Sequence, residues 1–351
     1  MKKNVIYLFV ILLFASCSNS TDLDFPSSSY NPEEWLIPIE EIRDGGPGRG
    51  GIPAIDNPVF IGANANYISD DDLVIGIIKG NEIKAYPHIV MDWHEIVNDN
   101  DVGGSPVTIN YCPLTGTAFG WDGVVNGQAT TFGVSGLLYN SNLILFDRNT
   151  GSNWSQLKLE CVNGALMGDL PQTISVVETK WGVWKNMFPS TKVLSLNTGF
   201  NRDYGQYPYG DYITNNDFLL FNVNPANDAL PRKERVYAII DNTITRAYRF
   251  EDFIGGKTIK ETFNGKTHLI VGNSDIINAF TLSGPYLDLD FQYNYNDTEE
   301  FFSDNEGNKW NIFGEAIEGP RTGEKLTISK SVVSYWFAIA AFYPNPEIYS
   351  E

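Results

Sequence analysis

The sequence predicts an α+β fold that is mostly strand, built as two tandem related β-rich repeats that each end in a short aromatic helix. Three observations predict it. The 351 residues include 32 Gly and 18 Pro, a density of turn formers that a helical bundle does not tolerate. Two hairpin-like segments recur 162 residues apart. Two aromatic segments, TKWGVWKNMF and VSYWFAIAAF, carry apolar residues at helical spacing and stop at Pro189 and Pro344.

The first element is an export signal. Lys2 and Lys3 precede an apolar run from Val5 to Phe14, and Ala15-Ser16-Cys17 follows. A basic end, a short apolar stretch and small residues before a cut site are the parts of a signal peptide. The run is shorter than the roughly 20 residues a spanning helix needs. A Cys directly after small residues resembles the lipobox of bacterial lipoproteins, in which that Cys is lipidated and becomes the new N-terminus. Phe14 departs from it, since Leu is commoner three places before the Cys. The resemblance implies removal of residues 1–16, a membrane anchor through lipid on Cys17, and a folded part in the cell envelope outside the cytoplasm.

Residues 17–34 are polar, rich in Ser with Pro, and suit a tether. Residues 35–71 read as an irregular segment. Its GGPGRGGIPAID stretch lacks the Gly-Lys-Ser/Thr ending of a phosphate loop. The full chain has 24 Lys+Arg against 43 Asp+Glu, a net charge of −19. Loss of Lys2 and Lys3 with the signal leaves 22 against 43, or −21. Such a balance argues against nucleic acid as a partner, because phosphate backbones need a basic face. A hydrophobic fraction of 42% with 13% aromatic residues excludes disorder over most of the length.

Repeat 1 spans 72–196 and repeat 2 spans 234–351, joined by a Tyr/Asn/Gly-rich linker at 197–233. DLVIGIIKGNEIKAYP (72–87) matches ERVYAIIDNTITRAYR (234–249), and both alternate β-branched and polar residues about a polar turn. FDRNTGSNW (146–154) matches FSDNEGNKW (302–310), and ECVNGALMG (160–168) matches EAIEGPRTG (315–323). Trp181 and Pro189 fall on Trp336 and Pro344, each 155 residues later. Shared positions such as Trp154/Trp310 and Trp181/Trp336 are expected to be core anchors. Reactive residues present in one repeat only are the functional candidates.

Those residues cluster in repeat 1: His88, His94, Glu95, Cys112, Arg148, Ser155 and Gln156. At the matching places His88 meets Phe250, His94 meets Gly256 and Cys161 meets Ala316, so Cys161 reads as a buried inert thiol. HEIVND (94–99) and PVTINYC (106–112) are strand-like and flank a turn near 102–103, which brings His94 towards Cys112. Cys112 ends its strand before Pro113 and is expected to be exposed. A Cys/His pair supports thiolate chemistry, with Cys112 as nucleophile, His94 as base and Glu95 in support. The same pair supports a metal site, with His88 as a further ligand and a transition metal as the cofactor. The spacing matches neither HExxH nor CxxC, so the residues leave both readings open.

Several blocks in the chain resemble the bacterial domain of unknown function 3179 family: GGIPAIDNP (50–58), IKAYPHIVMDWHEIVND (83–99), VTINYCPLTGTAFGWD (107–122) and TFGVSGLLYNSNLILFDRNTGSNWSQL (131–157). The resemblance covers most of the mature chain and implies no activity. Its blocks fall on His94, Glu95, Asn98 and Asp99; on Cys112 and Pro113; and on Asp147, Arg148, Thr150, Ser152, Trp154, Ser155 and Gln156. Many members read Cys-Pro-Leu-Cys where this chain has Thr115, which weakens a two-thiol mechanism and leaves a single-thiol site intact.

Two functions remain. One is an exported, lipid-anchored protein with a thiol or metal site in repeat 1, where Arg148, Gln156, Ser155 and Asp147 bind substrate. The other is a non-catalytic surface binding or scaffold module whose Trp and Tyr residues form a glycan or protein groove. Whether the protein is an enzyme is open at this level.

Overall fold

The computed structural model describes residues 34–350, so the signal segment, Cys17 and nearly all of the tether lie outside the described residues. Strand predominates, as the sequence predicts. Among the described residues the α-helices are three of seven residues each: α1 at His88–His94, α2 at Trp181–Met187 and α3 at Trp336–Phe342. None is long and apolar enough to cross a membrane.

Both expected hairpins form. Leu73–Lys79 pairs with Glu82–Pro87 in strict register about Gly80-Asn81, and Arg235–Asp241 pairs with Ile244–Arg249 about Asn242-Thr243. Gly80 and Asn242 each adopt a φ of 59°, the left-handed geometry that two-residue hairpin loops require. Each hairpin gains an antiparallel strand, Val177–Lys180 in the first half and Ser331–Tyr335 in the second. Each also gains a parallel one, at Lys192–Leu194 and Glu347–Ile348. α2 and α3 follow directly on the antiparallel additions.

A second sheet in the first half runs Ile96–Val102, Ser105–Cys112, Thr117–Asp122, Thr173–Ile174. Its counterpart runs Lys257–Phe263, Lys266–Gly272, Ile277–Leu282, Thr327–Ile328. A third sheet contains Phe132–Tyr139, Asn142–Asp147, Asn153–Ser155 and Glu160–Asn163. Phe302–Asp304, Lys309–Trp310 and Ala316–Glu318 answer its last three strands. The matching extends to side chains. Trp154 Nε1 donates to Asp147 Oδ2 at 3.1 Å, and Trp310 Nε1 donates to Asp304 Oδ2 at 2.9 Å.

Each aromatic helix bridges the halves: α2 packs on Leu73–Lys79 and Val177–Lys180 of its own half, α3 on Arg235–Asp241 and Ser331–Tyr335 of its own, and both also reach into the other half. Trp336, Phe337 and Ile339 of α3 pack with Trp121, Trp154 and Cys112 of the first half. Trp181 and Trp184 of α2 pack with Leu269, Phe280 and Trp310 of the second. Tyr343 Oη donates to Leu157 O at 2.8 Å and Tyr335 N to Thr115 O at 2.8 Å, fixing the bridge of α3 to the first half with directional bonds. Neither half therefore owns a complete core. The six Trp residues at 121, 154, 181, 184, 310 and 336 are all fully buried, so they serve packing and not a ligand surface.

The linker is mostly exposed but is anchored at a few buried residues. Tyr212 is fully buried and donates to Leu114 O at 2.9 Å, and Tyr204 is 8% exposed. Lys233, also buried, donates to Asn215 O at 2.6 Å and Phe218 O at 2.7 Å, and so pins the segment from within.

Candidate functional site

The structure corrects the expected Cys/His pair. His94 is not a strand residue. It is the last residue of α1, and the strand begins only at Ile96. The hairpin turn falls at Gly103-Gly104, with Ile96 opposite Asn110 and a shift of register between Asp99 and Val102. His94 Nδ1 lies 2.7 Å from Pro53 O and Nε2 lies 2.7 Å from Tyr204 Oη. A carbonyl only accepts, so Nδ1 carries the proton and Nε2 spends its lone pair on the Tyr204 hydroxyl. Burial lowers the pKa of His94 below its ordinary value, and Arg202 pushes the same way against the Pro53 hydrogen bond. The ring is thus a neutral clamp with no lone pair left for a metal or a thiol proton.

Cys112 is buried and not exposed, because Tyr212, Leu114 and α3 cover the strand end. Its Sγ donates to Ser141 O at 3.6 Å. Burial, then the neighbouring Glu95 charge, push its thiol up to about 11, so a thiolate is disfavoured at neutral pH. The His88 ring packs against Tyr111 at a tilt of 45°, ring centroids 4.4 Å apart, and its Nε2 lies 2.9 Å from Glu178 Oε2. Tyr111 and Cys112 are successive strand residues and face opposite ways, which keeps His88 and Cys112 on opposite faces of the sheet. Among the described residues no group of three or more His, Cys, Asp or Glu could hold a metal ion. Cys112 and Cys161 are both free thiols, and burial pushes Cys161 up to about 12.

Of the other expected site residues, Asp147, Gln156 and Arg148 are hydrogen-bonded into the frame. Asp147 caps its turn by accepting from Thr150 N at 2.7 Å. Gln156 Nε2 donates to Asn110 Oδ1 at 2.8 Å, and its Oε1 accepts from Asn142 Nδ2 at 2.7 Å. Ser155 is fully buried beside Trp154 and its Oγ has no hydrogen-bond partner among the described residues. Arg148 Nη1 donates to Asp56 Oδ1 at 2.6 Å, and Asn98 Nδ2 reaches the same oxygen at 2.7 Å. Arg148 therefore ties the GGIPAID segment to the sheet at a half-exposed rim.

Glu95 is the residue the structure singles out. It closes α1 at φ 58°, ψ −28°, a left-handed position that Gly commonly fills at helix ends. A side chain there costs about 1–2 kcal/mol. The backbone is held on both sides: Glu95 N donates to Met91 O at 2.7 Å, and Glu95 O accepts from Tyr111 N at 2.7 Å. The carboxyl is buried, and Tyr209 Oη donates to its Oε1 at 3.3 Å. Burial raises its pKa from the ordinary 4.5 to about 8, only partly offset by the Tyr209 hydrogen bond. Asp92, one helical turn earlier, is likewise raised by burial and by the Glu95 charge.

Glu95 and Tyr209 supply the polar end of an otherwise apolar pocket of about 330 Å³. Ile52, Leu114, Val134, Leu138, Leu143 and Phe221 line it. Three segments far apart in sequence build the walls. The glycine loop crosses a bulge in Phe132–Tyr139, where Gly45 N donates to Gly136 O at 2.8 Å. A Cβ at Gly136 would come within 2.8 Å of the Gly48 backbone, so only glycine permits the approach. The linker is held by the Asn140-Ser141 loop, a two-residue turn with φ 47° and 62°. Ser141 Oγ donates to Phe221 O at 2.8 Å and Asn140 Nδ2 to Asn224 O at 3.1 Å. The volume and the mostly apolar lining are those of small-molecule sites.

Fold and site define a β-rich protein of two interlocked halves, with a buried carboxyl closing an apolar pocket in the first. Residues 49–346 match the family described as Protein of unknown function (DUF3179), and the chain belongs to that family. No curated protein and no solved structure matches the chain.

Proposed function

We propose that the protein is an exported, lipid-anchored envelope protein that binds a small apolar molecule carrying one hydrogen-bonding group. The observation that carries this reading is the Glu95 carboxyl, buried at the polar end of the pocket with its pKa raised to about 8. At neutral pH such a carboxyl is uncharged. It can donate one hydrogen bond and accept another, while Tyr209 orients it. An uncharged acid suits a neutral polar head better than a cation, and the hydrophobic walls suit an alkyl or ring body. The carboxyl is also poised to pass a proton to a bound molecule, the property expected of a general acid near its own pKa. The two halves read as copies of one unit, of which only the first keeps the acid. The lipid on Cys17 would hold this pocket near a membrane, where apolar molecules are concentrated.

The test uses the neutral fluorophore N-phenyl-1-naphthylamine, whose emission rises on entering an apolar site. Wild-type protein should bind it saturably. Leu220→Trp, at a residue 40% exposed on the linker beside Phe221, should block entry without disturbing the core. Equal binding by the two proteins would remove the pocket from the account.

A further inference from the structure

The two halves meet at a second cleft, remote in sequence from Glu95. Thr173-Ile174-Ser175 recurs as Thr327-Ile328-Ser329. Each copy contributes the outermost strand of its sheet: Thr173–Ile174 pairs with Thr117–Asp122, and Thr327–Ile328 pairs with Ile277–Leu282. The two edges flank a cleft of about 220 Å³ lined by both copies.

The copies differ by one residue there. From Ser175 to Trp181 the chain advances 6 positions, and from Ser329 to Trp336 it advances 7. Val176 follows the first Thr-Ile-Ser, and Lys330 follows the second. The otherwise matched cleft therefore gains one cation. Lys330 has no acidic partner among the described residues, although the chain carries 43 Asp+Glu. Every other residue lining the cleft is neutral, and Thr173, Ser175, Asn278, Ser329 and Ser331 are the polar ones.

Hydrogen bonding shows which groups are already committed. Ser329 Oγ is engaged with His268 and Thr281, and Ser331 Oγ with Tyr237 and Ser329 O. Asn278 Nδ2 donates to Ile312 O. Ser175 Oγ differs from these: the residue is half-buried, but its oxygen is covered and makes no hydrogen bond among the described residues. A buried hydroxyl without a partner costs free energy, and such groups in native structures call for a missing partner. Partial burial lowers the pKa of Lys330, although the residue as a whole is exposed to solvent.

We propose that the cleft between the two halves binds a small oxyanion, a carboxylate or phosphate group held by Lys330 Nζ and Ser175 Oγ. The ammonium supplies the charge and the hydroxyl a directed donor, a pairing stronger than a neutral contact. The cleft is larger than one such group, so the rest of the ligand would lie along Thr173 and Asn278. The site is independent of the Glu95 pocket.

Calorimetric titration of the purified full-length protein with inorganic phosphate, and separately with malonate, tests this. Saturable binding of either anion is expected, and the one that binds assigns the class. Lys330→Met should weaken it at least about tenfold, and Ser175→Ala by a smaller factor of roughly three to ten. The Lys330 side chain bears no internal partner among the described residues, so the thermal midpoint of Lys330→Met without ligand should match wild type; Lys330→Gln repeats the test if it does not. Absence of heat with both anions, or undiminished affinity in both Lys330 variants, would overturn the proposal.

Discussion

Tyr204 Oη donates a hydrogen bond to His94 Nε2 at 2.7 Å, across 110 residues of chain. With Nδ1 held by Pro53 O, the imidazole links three segments: the glycine-rich entry, the end of α1 and the linker. The histidine in a long family block is thus a structural clamp in this protein. Tyr204→Phe would keep the packing and leave a buried ring nitrogen without a partner. The expected loss is about 1–3 kcal/mol of unfolding free energy. Urea denaturation checks it, and a loss near zero would show that the bond contributes nothing.

Cys112 and Cys161 should be inert in the folded state. Both are buried, and burial pushes their thiols to about 11 and about 12. Iodoacetamide at pH 7.5 should label neither, and both should react once the protein is unfolded. Rapid labelling of native Cys112 would restore the single-thiol catalyst.

Stability should fall as pH rises through the neutral range. The Glu95 pKa is raised from 4.5 unfolded to about 8 folded, so between those values the native state holds a proton that the unfolded chain has released. The benefit is fully present below 4.5, is lost progressively up to about 8, and then levels off. The slope from this group is at most about 1.4 kcal/mol per pH unit. Glu95→Gln should flatten the profile, leaving the part due to Asp92, which shifts the same way. Chemical denaturation from pH 5 to 9 measures both proteins.

Glu95→Gly separates stability from function at one position. Glycine relieves the left-handed backbone and removes a carboxyl that is buried at alkaline pH. The variant should be more stable than wild type at pH 9 by about 1 kcal/mol or more. Fluorophore binding to wild type should weaken as Glu95 ionises above about pH 8, and binding to the variant should not change there. A less stable Glu95→Gly would mean that the carboxyl serves the fold.

Cys17→Ser should release the protein from membranes into the soluble fraction. Wild type labelled with a palmitate analogue should carry the label, and the variant should not. Membrane retention of an unlabelled Cys17→Ser chain would contradict the lipid anchor.

Local pattern announced much of the fold. Alternation around Gly80-Asn81 and Asn242-Thr243 marked both hairpins, and the Trp-rich segments before Pro189 and Pro344 marked α2 and α3. α1 escaped notice because Ile89 and Val90 are β-branched and the helix is only seven residues long. That helix carries His94 away from the strand and undoes the Cys/His pair. The site was legible in part. Glu95 stood among the candidates, but as a helper to His94 and Cys112. Its real partner, Tyr209, lies in the linker, and its αL backbone leaves no trace in a sequence where glycine would have been the warning. The bridging of the two halves by α2 and α3 depends on contacts far apart in the chain, which local periodicity does not encode.

The central claim is that Glu95 is a neutral acid at physiological pH. Infrared difference spectra between wild type and Glu95→Gln, recorded from pH 5 to 10, read its protonated C=O stretch directly. The band should persist at pH 7 and disappear with a midpoint near 8. Its disappearance below pH 6 would show an ordinary ionised glutamate and contradict the account.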